Sequence, residues 1–238
     1  ASTVTGTDMS FAVYVPDHEA GAKMPVLWFL SGLTCTHANV MEKGEYRRLA
    51  SELGLVVVAP DTSPRGEGVP DDSSYDLGQG AGFYVDATEE PWADHFQMRS
   101  YIEEELPALI AEQFPVDMSR QGIFGHSMGA LTMALRNPDR FKSASAFAPI
   151  VAPSDCPWGK KALGRYLGEN KAVWRDYDAC ALIEDGARFP EFLVDQGAAD
   201  NFMEEQLKPH LLAEICEKAS IPLTLNLRDG FDHSYYFI

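Results

Sequence analysis

The sequence predicts an α/β fold with a mostly parallel sheet, on the basis of two patterns. Short apolar runs alternate along the chain with segments of helical spacing, which is the pattern of helices packed on both faces of a sheet. The apolar runs at 25–30 and 55–59 are continuous, as in parallel strands that are buried on both faces. The length of 238 residues suits one domain, and we assign 1–238 to it.

The individual elements are predicted from the period of the apolar residues. Residues 9–15 alternate in polarity like a half-buried strand, and 95–114 places its apolar side chains near one helix face. Further strands are expected at 121–125, 143–147, 192–195 and 222–227, and further helices at 45–53, 130–135 and 204–219. Residues 60–94 and 148–186 are expected to be irregular. In such a sheet the chemistry collects at the carboxyl ends of the strands, so candidate residues are sought directly after each apolar run.

The composition excludes several classes of protein. Nineteen basic against 36 acidic residues give a formal charge of −17, which argues against nucleic-acid binding. No run approaches 18 apolar residues, so no membrane partner is expected. The four cysteines lack the spacing of a zinc site or a disulfide framework, and the N-terminal residues lack the regions of a secretory signal. No metal site is therefore expected. Free thiols fit a reducing compartment, so a cytoplasmic location is expected.

Residues 125–129 read Gly-His-Ser-Met-Gly, which matches the G-x-S-x-G pattern of a nucleophile elbow. The pattern lies between a predicted strand and a predicted helix, which is the context that this sharp turn requires. Ser127 is therefore the candidate nucleophile. His126 is its neighbour in the chain and would point away from it, so it is interpreted as structural.

A serine nucleophile needs a base, and an acid to orient that base. Of the histidines after Ser127, His210 falls inside a predicted helix, whereas His233 follows the last strand and is the candidate base. Asp195 and Asp200 both follow the strand at 192–195, and Asp200 is preferred because its loop extends further toward His233. Asp232 adjoins the base and would point away from its ring.

An oxyanion hole needs two backbone N–H groups that point at the developing charge. One is expected from Met128, which follows the nucleophile, and the other from Leu33, which follows the strand at 25–30 and the turn at Gly32. Cys35 would then lie near the site, although a free cysteine is more often a small buried residue.

Several segments together resemble S-formylglutathione hydrolase, also called esterase D. They are Leu30-Ser-Gly-Leu-Thr-Cys-Thr36, Ala59-Pro-Asp-Thr-Ser-Pro-Arg-Gly66, Gly82-Phe-Tyr-Val-Asp-Ala-Thr88 with Pro91-Trp92, Gly125-His-Ser-Met-Gly129, Phe147-Ala-Pro-Ile150, Asp195-Gln-Gly197 with Asp200, and Gly230-Phe-Asp-His-Ser-Tyr-Tyr-Phe-Ile238. They cover nearly the whole chain in order.

The resemblance implies an α/β-hydrolase fold and a cytoplasmic, commonly dimeric enzyme of formaldehyde detoxification. Such an enzyme cleaves S-formylglutathione to glutathione and formate, acts on small activated esters, and needs no cofactor. The family motifs place nucleophile, acid and base at Ser127, Asp200 and His233, and a thiol near the site at Cys35. Phe83, Tyr84 and Trp92 are expected as a wall of the acyl pocket, with loop packing as the alternative.

The chain departs from the family pattern at three places. The family has further residues before Thr3, between Gly129 and Ala130, and after Ile238, and we expect that they belong to this protein too. Joining Gly129 directly to Ala130 would rotate the following helix by most of a turn, which is expected to disrupt the elbow. Two alternatives stay open at this stage: a broader carboxylesterase, and a binding protein that keeps the fold without catalysis.

Overall fold

The computed structural model describes residues 1–237, and within this range seven strands form one sheet. The strands are β1 Phe11–Tyr14, β2 Met24–Leu30, β3 Val56–Pro60, β4 Val116–His126, β5 Phe141–Phe147, β6 Phe192–Gly197 and β7 Leu223–Arg228. Their order is β1-β3-β2-β4-β5-β6-β7. β1 pairs antiparallel with β3, and every other pair is parallel. The predicted α/β fold is confirmed.

The helices connect these strands. They are α1 His37–Lys43, α2 Arg47–Leu53, α3 Met98–Ser100, α4 Leu106–Gln113, α5 Ala130–Arg136, α6 Pro157–Leu167, α7 Lys171–Trp174, α8 Ala179–Glu184 and α9 Pro209–Ala219. A π-helical segment, Tyr101–Glu105, joins α3 to α4. No helix in residues 1–237 is long and apolar enough to cross a membrane.

The two faces of the sheet carry apolar clusters of different size. Side chains alternate between the faces along each strand. Trp28, Ile123 and Val194 belong to the main core, and each is at most 1% exposed. On the other face Phe29 packs with Val40 of α1 in a smaller cluster.

Sequence periodicity missed or merged several helices. α1 is only seven residues long, and its start is set by a capping box in which the side chains of Thr36 and Asn39 each accept from the other's backbone N–H. Helices α6 to α8 lie in the segment predicted to be irregular, where they are short and interrupted by turns. The helix predicted at 204–219 is broken at Lys208, which has φ 51° and precedes Pro209.

Candidate active site

Ser127 lies in a strained turn between β4 and α5. Its φ is 62°, a left-handed conformation that costs a non-glycine residue energy and often marks a functional position. Gly125 makes the turn possible, because a Cβ there would lie 2.7 Å from the carbonyl oxygen of Leu30. The turn is tied to the sheet, since Ser127 N donates to Phe147 O at 3.0 Å.

The expected disruption of this turn is not what the structure contains. Gly129, with φ 99°, leads directly into α5 at Ala130, and Ser127 keeps its left-handed conformation. The direct connection therefore permits a sharp turn, because glycine adopts a φ that other residues avoid.

The Ser127 hydroxyl is buried and has no hydrogen-bond partner among the described residues. It lines a cavity of about 300 Å³ together with His233. A buried hydroxyl without a hydrogen bond costs folding free energy, and a catalytic role is one reason why such a group is kept.

His233 is paired with Asp200, the preferred acid. His233 Nδ1 lies 2.6 Å from Asp200 Oδ2, and the Asp200 side chain is fully buried. The carboxylate is oriented by Phe202 N at 2.9 Å and by Gln196 Nε2 at 3.2 Å. With Nδ1 engaged, the other ring nitrogen of His233 is left for a second partner.

The other carboxylates that the sequence offered have different partners. Asp195 Oδ1 accepts from Arg228 Nε at 2.7 Å. Asp232 is exposed, and its carboxylate accepts from Ser234 N at 2.9 Å. The alternative base candidate, His210, is an exposed residue of α9.

A close backbone contact brings the loop of the acid to the loop of the base. A Cβ at Gly197 would lie 2.3 Å from the carbonyl oxygen of Phe231, so this approach requires glycine. Ala199 N donates to the same oxygen at 3.0 Å. The end of β6 and the turn before His233 are thus held together through their backbones.

His126 is buried between two rings. Its ring centroid lies 4.5 Å from that of His233 and 4.6 Å from that of Tyr235. Burial, and then the nearby charge of His233, hold the pKa of His126 well below its usual 6.5, so its ring is neutral. Both ring nitrogens lack a partner among residues 1–237. The sequence analysis interprets His126 as structural and does not predict its contact with the base.

The two backbone amides predicted for the oxyanion hole are both available. Neither Leu33 N nor Met128 N donates to an acceptor within the described part of the chain. The neighbouring Gly32 N is engaged, since it donates to the Tyr235 hydroxyl at 3.0 Å. A Cβ at Gly32 would lie 2.9 Å from Ser127 Cβ, so this loop contacts the elbow directly.

Cys35 also lines the cavity and is half-buried. Burial raises the pKa of its thiol, and a hydrogen bond with Tyr235 and the charge of Lys43 offset part of that effect. The thiol is therefore mostly protonated at neutral pH.

The aromatic wall expected around Trp92 lies elsewhere. Trp92 is 2% exposed and packs edge-on against Phe96 and Tyr166, so it belongs to the core. Phe83 and Tyr84 line a separate small cavity behind Met128. The interpretation of these residues as a substrate wall was wrong, because the segment folds inward.

Tyr75, Trp158 and Phe202 supply the aromatic wall instead. Trp158 Nε1 donates to the Tyr75 hydroxyl at 2.9 Å, and the rings of Trp158 and Phe202 lie 4.7 Å apart. In the sequence, only Phe202 could have indicated this wall, because it stands two residues after the candidate acid Asp200. No group of three or more His, Cys, Asp or Glu side chains within 1–237 could hold a metal ion.

The fold and this cavity define an α/β hydrolase, and comparison with known proteins identifies its family. The Esterase family model matches residues 2–237, so the chain belongs to this family and is a hydrolase.

Two relatives are similar along almost the entire chain. An S-formylglutathione hydrolase from Paracoccus denitrificans is 52% identical over 240 residues, which cover 100% of this chain and 86% of the relative. The structure of an S-formylglutathione hydrolase from Agrobacterium tumefaciens is 64% identical, with a TM-score of 0.97, over 99% of this chain and 87% of that one. The fluorophosphonate-binding serine hydrolase FphF from Staphylococcus aureus, 19% identical with a TM-score of 0.77 over 99% of this chain and 90% of that one, shares the fold.

Proposed function

We propose that this protein hydrolyses S-formylglutathione to glutathione and formate, as a step of formaldehyde detoxification, with side activity on short esters. The observation that carries the proposal is the strained Ser127 on one cavity with the His233–Asp200 pair. The 52% and 64% identity to proteins named for this reaction supports the choice of substrate.

The proposed acylation step uses the residues that line the cavity. The ring nitrogen of His233 that does not face Asp200 takes the Ser127 proton, and the serine oxygen attacks the thioester carbonyl carbon. The amides of Leu33 and Met128 donate to the oxyanion. The C–S bond then breaks, and the glutathione sulfur leaves with the proton held by His233.

Deacylation reverses the roles with water in place of the thiol. His233 removes a proton from water, which attacks the formyl–serine ester, and formate leaves as Ser127 is reprotonated. Asp200 stabilises the charged imidazole in both steps. The Ser127 hydroxyl has no hydrogen-bond partner among residues 1–237. The hydrogen bond between a nucleophile and its base often tightens only when substrate binds.

The test compares the wild type with Ser127→Ala, which removes only the nucleophile. We expect thioester hydrolysis, followed by the loss of absorbance at the thioester band, to disappear in the variant while its melting temperature stays close to that of the wild type. A fluorophosphonate should label the wild type alone. A wild-type serine that does not react would favour a non-catalytic binding protein.

A broader carboxylesterase is the second candidate, and the aromatic wall favours it. Tyr75, Trp158 and Phe202 offer ring surfaces that a formyl group is too small to use. Comparing kcat/KM for S-formylglutathione with that for acetyl and feruloyl esters separates the two. A preference for the large acyl group would replace the proposed substrate.

A cytoplasmic homodimer completes the proposal. The four cysteines are free thiols, which supports a reducing compartment, and the family resemblance supports the dimer. Cell fractionation tests the location, and sedimentation equilibrium tests the dimer.

A further inference from the structure

The cavity beside Ser127 differs in charge from the molecule as a whole. The chain carries 36 acidic and 19 basic residues. Among the described residues that line the cavity, none is Asp or Glu, and one is a lysine, Lys43. The lining therefore offers an approaching anion one positive side chain and no carboxylate, unlike the surface of the molecule as a whole.

Lys43 and Asn39 both line the cavity from the same helix, α1. They are four residues apart and so lie on one face of the helix. Lys43 is exposed and forms no ion pair within residues 1–237, and its ammonium lies 6.0 Å from the centre of the Tyr236 ring. Its charge reaches the cavity, since it lowers the pKa of Cys35 against the larger effect of burial.

The amide of Asn39 is held in a fixed orientation. Asn39 Oδ1 accepts from Thr36 N at 2.9 Å in the capping box. This bond leaves the Nδ2 group as a donor, and it has no acceptor among the described residues. An amide donor and an ammonium on one helix face, with no carboxylate beside them, suit a carboxylate ligand.

We propose that Lys43 and Asn39 form a subsite for a carboxylate of the glutathione portion of the substrate. Glutathione is a tripeptide with two carboxylates and one ammonium group, so its thioesters are anionic at neutral pH. The inference rests on the proposed function and names a source of its selectivity. The subsite favours a glutathione thioester over a neutral ester with the same acyl group, because a neutral ester has no group for it to bind.

Lys43→Gln tests the charge directly. We expect the ratio of kcat/KM for S-formylglutathione to that for 4-nitrophenyl acetate to fall about tenfold, mainly through a higher KM, which is the size expected for a charge-assisted hydrogen bond at a rim. Lys43→Arg should retain most of the ratio. Lys218→Gln is the matched control, because Lys218 is also an exposed lysine in the last turn of a helix, α9.

Asn39→Asp tests the amide without removing the helix cap. The new carboxylate can still accept from Thr36 N, but it replaces the Nδ2 donor with a negative oxygen. We expect a larger fall in the ratio than for Lys43→Gln. Raising the salt concentration should weaken the preference of the wild type for the thioester and have less effect on Lys43→Gln.

A binding measurement separates failure of the subsite from failure of the proposed function. S-methylglutathione cannot be deformylated, and it should inhibit hydrolysis of 4-nitrophenyl acetate by the wild type with an inhibition constant about tenfold lower than for Lys43→Gln. Equal constants would overturn the subsite even if the wild type cleaves S-formylglutathione. A lower inhibition constant for the wild type would support the subsite even if the preferred acyl group proves to be another one.

Discussion

At the residue scale, the structure separates two carboxylates that stand five positions apart in the chain. Asp200 is fully buried and bonded to His233, whereas Asp195 is bonded to Arg228. Only the carboxylate of Asp200, which is bonded to His233, can fix the ring orientation of the base and stabilise its charged form.

Asp200→Asn is therefore expected to lower kcat by about 10³–10⁴-fold, because an amide no longer stabilises the imidazolium. Steady-state kinetics with S-formylglutathione measures this effect. Asp195→Asn is the matched control, since it removes a charge from the same strand and loop and should leave kcat within a few-fold of the wild type. A larger loss for Asp195→Asn with normal folding would overturn the assignment of the acid.

Cys35 should make the enzyme sensitive to maleimides, because a bulky group on this thiol would fill the cavity. Its raised pKa means that the reactive thiolate becomes more abundant as pH rises above neutrality, so inactivation should accelerate with pH. Residual esterase activity after timed exposure to N-ethylmaleimide measures the rate. Cys35→Ser should resist inactivation and stay active, and persistent inactivation would move the effect to Cys156, Cys180 or Cys216.

At the scale of elements, the site depends on where β6 ends relative to the turn after β7. Gly197 closes that gap, because its hydrogen lies where a Cβ would meet the carbonyl oxygen of Phe231. This contact, rather than any side chain, sets the separation between the loops of Asp200 and His233.

Gly197→Ala should therefore lower kcat as well as the free energy of unfolding. Pushing the two backbones apart costs about 1–3 kcal/mol of folding free energy, and it also disturbs the bond between acid and base. Chemical denaturation and kcat measured on the same variant check both effects. Gly164→Ala is the control, because its Cβ would make an ordinary contact of 3.6 Å with Trp174, and it should leave kcat unchanged.

The connection between the elbow and α5 carries a prediction about the chain itself. We expect the expressed protein to contain further residues between Gly129 and Ala130, because the family pattern has them. In the structure α5 follows Gly129 directly, and Ser127 keeps its left-handed φ of 62°.

Peptide mass spectrometry after tryptic digestion tests this. The peptide that follows Arg120 and ends at Arg136 should be heavier than the mass calculated for residues 121–136. If this peptide has the calculated mass and the enzyme is active, the expectation fails and the short connection is sufficient for catalysis.

At the scale of the whole molecule, the buried neutral His126 links folding to pH. Burial lowers its pKa in the folded protein below the usual 6.5, so the unfolded chain binds more protons as pH falls below that value. The contribution of the neutral His126 to the free energy of unfolding is thus fully present above about pH 6.5, and it declines as the pH falls below that value.

His126→Gln should remove this component, so that stability declines less between pH 6.5 and pH 5 than in the wild type. One proton bound only by the unfolded state is worth about 1.4 kcal/mol per pH unit. Urea denaturation across this pH range measures the slope. His210→Gln is the control, since His210 is exposed on α9, and an unchanged slope in His126→Gln would show that other groups cause the acid sensitivity.

The sequence alone was sufficient for the α/β class and for the place of the candidate nucleophile. Strand and helix periods are local, so the continuous run in β2 and the strand–turn–helix context of Ser127 can be interpreted without knowing any long-range contact. Periodicity was weaker for α1, which is short and depends on a cap, and for α6 to α8, which are interrupted by turns.

Only the tertiary structure decided which residues share the cavity. The partner of His233 depends on the pairing of β6 with β7 and on the contact at Gly197. Trp92 turned out to be core, while Trp158 and Lys43 come to the cavity from distant segments. The physical reason is that the direction and surroundings of a loop side chain are set by the elements it packs against, and periodicity within the loop carries no record of them.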